Sequence, residues 1–394
     1  MKKSSKYSLL AAVLFVVLMV VALFFTIGAS KISKLSLPGT ISEGSGFQIE
    51  GSGFQTWRGL HYSPESKSSS EEFFKDFESL VKDALVPAGF NLIIFNIWDN
   101  YQFTTIPELA KLERPESRNF DSHDAKRMAD ICRENGIHVM VQMGFLTHQK
   151  YNQILKAFPE FQWPGDETLW NPLHPGVNKI AFKMADELID AFGAEGFNVA
   201  LDEGWGFDVS RLPENPQQYT TAEVFARAVN EYHQHFVQER GIEMLMWSDM
   251  LEGRYSDAQV SGALSMIPKD IILLSWDYEC HWRYPLIGRW VEKVLPICPW
   301  DNQWPEKLMD MGFRVIVAPW MNPRAGKALV ESATAANSDN LKGVLYTTWS
   351  SKINSELKDA LLETRSKQKL DPTVVGISKT IKKTIGAFKP SSDP

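Results

Sequence analysis

The chain has 394 residues, 44% of them hydrophobic and 23% charged, with a formal net charge of −7. That composition supports a sizeable core and excludes wholesale disorder. The central region has no long Lys/Arg cluster, which argues against a phosphate-binding face and so against nucleic acid as a partner.

Residues 9–27 form an uncharged apolar run, with Lys2, Lys3 and Lys6 before it and Lys31 and Lys34 after it. A bilayer span needs roughly 20 such residues. Residues 1–30 are therefore expected to be an uncleaved transmembrane anchor, with a removed signal peptide as the alternative. The domain that follows is expected on the extracytoplasmic side. The Gly/Ser-rich stretch 31–53 reads as a linker, and the folded domain is placed at 54–366.

Within it, short apolar runs at 54–60, 90–97, 137–143, 197–201, 243–247, 270–276, 313–320 and 342–349 alternate with amphipathic segments of helical period. Eight such units predict an α/β fold, a (β/α)8 barrel preceded by an N-terminal transmembrane helix, with an open doubly wound sheet as runner-up. The basic segment 367–394 is expected to be a solvated tail.

No HExxH, CxxC, GxGxxG or GxxxxGK[ST] pattern occurs, so no metal site and no cofactor is predicted. The cysteines, Cys132, Cys280 and Cys298, form no disulfide framework. Cys280 and Cys298 could close a loop in an exported domain, although the expectation leans against it.

Barrel enzymes build their chemistry at the C-terminal ends of the strands. The strand ends here carry Arg58 and His61; Trp98 and Asp99; Gln142 and His148; Asp202 and Glu203; Trp247 and Asp249; Trp276, Asp277 and Glu279; Trp320; and Trp349. Tryptophans at a pocket mouth suit stacking against sugar rings. Asp202 and Glu203 follow the fourth strand in FNVALDEGW, and Gly204 and Gly206 would allow the turn that brings both carboxylates to one pocket. A carboxylate pair among aromatic residues is what glycoside hydrolysis requires.

In order and spacing these motifs resemble the catalytic domain of the family 20 glycoside hydrolases, the β-N-acetylhexosaminidases, from Thr56 to Ser351. WRGL at 57–60 is similar to the first-strand Arg-Gly of that family, NLIIFNIWDNYQF at 91–103 to its second-strand segment, and GIHVMVQMGFLTH to its third. FNVALDE resembles the signature holding its two acids. The resemblance implies Asp202 and Glu203 as catalytic residues and Arg58, Asp99, His148, Trp247, Trp276 and Trp349 as substrate-binding residues. It also implies a carbohydrate partner and a retaining mechanism in which the substrate's own 2-acetamido group is the nucleophile.

Several positions depart from the pattern, Asn198, Ala200 and Leu201 before the acids among them. Ser66, Met321 and Ser351 stand where the family carries an Arg, a Tyr and a Glu. Two alternatives stay open: a glycosidase with two protein carboxylates, and a carbohydrate-binding protein that has lost turnover.

Overall fold

The computed structural model describes residues 56–64, 70–98, 100–112, 120–151, 154–212, 218–253, 260–281 and 298–389. The expected anchor at 9–27 and linker at 31–53 lie outside the described residues. Among the described residues no helix is long and apolar enough to cross a membrane.

Eight parallel strands close into a barrel: β1 (Trp57–Tyr62), β2 (Leu92–Ile97), β3 (His138–Phe145), β4 (Gly196–Ala200), β5 (Glu243–Trp247), β6 (Ile272–Trp276), β7 (Arg314–Ala318) and β8 (Leu341–Thr347). Each pairs with its neighbours in chain order, and β8 pairs with β1. The predicted strands are all present, and the open sheet is excluded by the closure. Alternation along each strand divides the side chains into two sets. Phe95, Val139, Val141, Phe197, Met244 and Val315 join the layer between strands and helices, while Leu92, Ile94, Met140, Leu245, Ile272 and Ile316 fill the barrel interior.

The outer layer contains helices α1 (Glu71–Ser79), α2 (Ser122–Glu134), α3 (Val177–Phe192), α4 (Thr221–His233), α5 (Trp304–Asp310), α6 (Pro323–Ala335), α7 (Ser351–Leu362) and α8 (Pro372–Thr384). Local chemistry sets their ends. Asp121 with Asp124 and Thr220 with Glu223 form capping boxes at the starts of α2 and α4, and α3 stops at Gly193 in the left-handed conformation. The regular alternation lapses once. Between β5 and β6 the described residues hold only short 3₁₀ turns, Asp249–Leu251 and Ser261–Ser265.

The expectation of a solvated tail is corrected. Helix α8 buries Val374, Ile377 and Ile381 and packs on α6 and α7. The Lys-rich run that suggested solvation is only its outer face. Gly376 faces the backbone carbonyl of Met321 so closely that an added Cβ would stand 2.2 Å from the oxygen, a contact only glycine permits.

If α8 belongs to the core, Ile377→Ala should cost about 2–5 kcal/mol, the usual range for truncating a buried aliphatic side chain. Urea denaturation measures this, and a loss below about 1 kcal/mol would return the segment to the status of a tail.

Candidate active site

At the C-terminal end of the barrel the interior changes from aliphatic to polar. His61, Asn96, Gln142 and Asn198 are all buried. Gln142 Oε1 accepts from Asn198 Nδ2 at 2.6 Å and stands 3.1 Å from His61 Nε2, while Gln142 Nε2 donates to Asn96 Oδ1 at 3.0 Å. Asn96 passes the chain on to Ser63 Oγ at 3.1 Å. Burial pushes the His61 imidazole down to about 4, so at neutral pH it is uncharged.

Asn198 also accepts the backbone N–H of Ala200 at 2.9 Å, where the chain leaves the strand. Ala200, Leu201 and Glu203 then adopt left-handed backbone, with φ of 59°, 70° and 53°. Such conformations are costly for side-chain-bearing residues and cluster at functional sites. The sharp turn at the acids is thus made by these residues and not by glycine torsions. Gly204 and Gly206 serve another need: an added Cβ would crowd Met250 and Thr147 at Gly204 and the Asp166 carboxylate at Gly206.

The turn brings Asp202 and Glu203 to one imidazole. His148 Nε2 lies 3.3 Å from Asp202 Oδ2 and 3.8 Å from Glu203 Oε2. His148 is itself left-handed, at φ 57°, and follows a loop braced by buried Gln149, which donates to the carbonyls of Gly144 and Thr147 at 2.9 Å each. Burial alone would lower the His148 pKa, but its hydrogen bond to Asp202 and the charges of Asp202, Glu203 and Asp249 outweigh it and raise the group overall. Glu203 is raised as well, first by burial and then by the charge of Asp202, with His148 opposing.

A third carboxylate, Asp249, is buried beneath the turn. It accepts the Glu203 backbone N–H at 2.9 Å and Trp276 Nε1 at 3.3 Å. Burial and the charge of Asp202 push it well above the usual carboxylate range. Strand position marked Asp249 in the sequence, but nothing there showed that it would orient the acid turn.

The aromatic residues form one connected group. Trp276 stacks on Tyr278 with centroids 4.8 Å apart, Trp349 Nε1 donates to the Tyr278 hydroxyl at 3.1 Å, and Trp247 and Trp349 lie 5.3 Å apart. Trp276 and Trp349 are half-buried and present surface. Trp247 does not. It is 0% exposed, packed behind Trp349 and His61, so the expectation that it offers a stacking face is corrected: it backs Trp349.

Arg58 is also corrected. Strand β1 runs to Tyr62, with Arg58 paired to Val344 and His61 to Thr347 at the far end, so Arg58 lies at the N-terminal face of the barrel. Its guanidinium donates to the carbonyls of Gly89, Thr56 and Phe388. The Arg-Gly resemblance named the first strand and not the level along it. Asp99 and Ser66 lie outside the described residues, and Met321 is exposed.

No protein-family model matches the chain, and no curated protein matches it by sequence. Solved structures do. The chitobiase of Flavobacterium johnsoniae aligns with 85% of this chain and 52% of its own, at a TM-score of 0.56 and 15% identity. A family 20 exo-β-N-acetylglucosaminidase from Vibrio harveyi, crystallised with N-acetylglucosamine, aligns over 85% and 58%, at 0.56 and 14%. The barrel has the fold of the family 20 glycoside hydrolases. A β-N-acetylhexosaminidase from Bacteroides fragilis adds a third alignment, covering 86% of this chain and 68% of its own at 0.53 and 10%. This chain spans only a little over half the length of the first two.

The raised Glu203 has a consequence for stability. A carboxyl group that holds its proton more tightly when folded favours the native state below its unfolded pKa, about 4.3, and that contribution is lost as pH rises through the folded value. Glu203→Gln should therefore raise the melting temperature at pH 8 and leave it unchanged at pH 3. Thermal melts of both proteins across this range decide it, and a difference independent of pH would show that the Glu203 carboxyl is not strained by its surroundings.

Proposed function

We propose that this protein is a glycoside hydrolase that removes terminal β-linked N-acetylhexosamine residues by substrate-assisted retention. The observation that carries the reading is the placement of His148 between Asp202 and Glu203 at 3.3 and 3.8 Å, beside the Trp276–Tyr278–Trp349 group. Similarity to barrels of family 20 supports it.

Two adjacent carboxylates need different protonation states for this chemistry. Glu203, raised by burial and by its neighbour, is the acid suited to carry the proton and deliver it to the departing glycosidic oxygen. Asp202, hydrogen-bonded to His148, is suited to orient the substrate acetamide so that its carbonyl oxygen attacks C1 as the glycosidic bond breaks. The positive charge that develops on the resulting oxazolinium lies next to the Asp202 carboxylate. Glu203, now deprotonated, takes a proton from water as it opens the ring from the same face, and configuration is retained.

The two-carboxylate alternative is less well supported. The described end of β7 offers Pro319, Trp320 and Met321 and no acid. Asp277, after β6, is buried and already engaged by His281 and Asn302.

The extracytoplasmic placement belongs to the same proposal. Cys280 and Cys298 are bonded to each other, against the expectation from sequence, and disulfides persist chiefly in oxidising compartments. Fractionation of cells producing the full chain, followed by protease accessibility, tests this. A domain protected on the cytoplasmic side would reject it.

Glu203→Gln should lower turnover of an aryl β-N-acetylglucosaminide with a poor leaving group by about 10²- to 10⁴-fold, with a smaller loss for a good leaving group. An undiminished rate on the poor leaving group removes Glu203 from the acid role. Replacing the substrate 2-acetamido group by hydroxyl should nearly abolish turnover, and a thiazoline mimic of the cyclic intermediate should bind far more tightly than substrate. Equal rates on both sugars, without a gain for the thiazoline, would reject the substrate-assisted mechanism.

A further inference from the structure

Strand β6 ends at Trp276, and the chain immediately beyond it meets the ends of two other strands. Tyr278 stacks on Trp276 at 4.8 Å and 27°, meets Trp320 edge-on at 5.2 Å and 61°, and accepts the Trp349 indole N–H at 3.1 Å. One side chain thus touches the aromatic residue that ends β6 and those that follow β7 and β8. Burial raises its phenol pKa, with Asp202 and Asp249 adding to the rise against hydrogen bonds to Thr347 and Trp349. The ring therefore lies within the electrostatic reach of the acid cluster.

Sheet pairing cannot hold Tyr278, because it lies past the last paired residue of β6, Trp276. Two devices close around it instead. Asp277, buried, accepts from Asn302 Nδ2 at 2.9 Å and stands 2.7 Å from His281 Nε2. Asn302 Oδ1 in turn accepts the Trp304 N–H at 3.0 Å, at the start of α5. Cys280 is bonded to Cys298, 18 residues on, with Cα atoms 5.1 Å apart, and the His281 N–H donates to the Pro299 carbonyl at 2.9 Å. Both devices bind residues 277–281 to residues 298–302, one covalently and the other through a buried carboxylate.

We propose that Tyr278 is a positioning residue that sets Trp276 and Trp349 as the walls of the sugar site, and that the Cys280–Cys298 bond with the Asp277–His281–Asn302 cluster is the staple that holds it. The inference rests on the site reading given above. It goes beyond that reading in making sugar binding, and not the chemical step, dependent on the disulfide. The acid turn has supports that do not pass through Trp276, the Glu203 N–H on Asp249 and the Ala200 N–H on Asn198, and it keeps them when the staple is opened.

The test compares wild type with Cys280→Ser/Cys298→Ser and with Tyr278→Phe, using near-ultraviolet circular dichroism and kinetics on an aryl β-N-acetylglucosaminide. The double variant should keep its far-ultraviolet spectrum and lose part of the near-ultraviolet band. Its KM should rise about tenfold, the scale of one lost aromatic contact, with kcat within about twofold. Tyr278→Phe keeps the ring stack and loses the bond from Trp349, so its KM should rise less.

If the double variant does not fold, reduction of the folded wild type with a mild thiol and Tyr278→Phe still supply the comparison. An unchanged near-ultraviolet band and KM after loss of the disulfide would overturn the proposal. So would a fall in kcat at constant KM, which would mean that the staple acts on catalysis. A wild type without glycosidase activity would instead reject the function, while the spectra would still decide the staple.

Discussion

Three carboxyl groups, Asp202, Glu203 and Asp249, crowd one end of this barrel, and the surrounding structure is arranged around that crowding. Two unit negative charges about 4 Å apart repel by about 4 kcal/mol at an effective dielectric near 20, and burial adds the cost of lost hydration. The protein does not neutralise all three with basic side chains. Asp249 and Glu203 are driven toward their protonated forms, and one imidazole, raised by its neighbours, faces Asp202 and Glu203 together. Carboxyl groups raised by burial and by a neighbouring charge are the kind of group from which a proton donor can be built.

Holding the acids there demands backbone that the chain would not otherwise adopt. Left-handed residues occur at Leu146 and His148 after β3, at Ala200, Leu201 and Glu203 after β4, and at Trp349 after β8. Specific hydrogen bonds brace this backbone, from Ala200 to Asn198, from Gln149 to the β3 loop and from Glu203 to Asp249. The polar layer of His61, Asn96, Gln142 and Asn198 is the transition between the aliphatic barrel interior and this strained rim. Its members satisfy much of one another's hydrogen bonding, which is the condition under which buried polar groups rigidify a site.

The barrel itself was legible because its signal is periodic. Near-continuous apolar strands alternating with amphipathic helices leave few topologies, and the eight strands fell where the apolar runs lie. The acid pair and His148 were legible through their place at strand ends. What escaped was information that period does not carry. Arg58 was misplaced because a motif names a strand and not a level along it, and in this strand His61 occupies the upper level. Trp247 was read as a sugar platform because composition cannot distinguish a ring that faces a pocket from one that backs another ring. Helix α8 was taken for a tail because lysines on its outer face masked the spacing of Val374, Ile377 and Ile381. The Cys280–Cys298 bond depends on a loop geometry that spacing alone leaves open.

Arg58 carries a consequence for how the protein is made. Its guanidinium bonds the Phe388 carbonyl, 330 residues further along the chain, and β1 also finds one of its two sheet partners in β8. At synthesis rates of about 5 to 20 residues per second, roughly 20 to 70 seconds separate the appearance of the two ends. Throughout that interval β1 has an open edge of the kind that templates aggregation. The first strand must therefore wait for the last, and the nascent barrel has to be kept from pairing with other chains until its C-terminal helix has emerged.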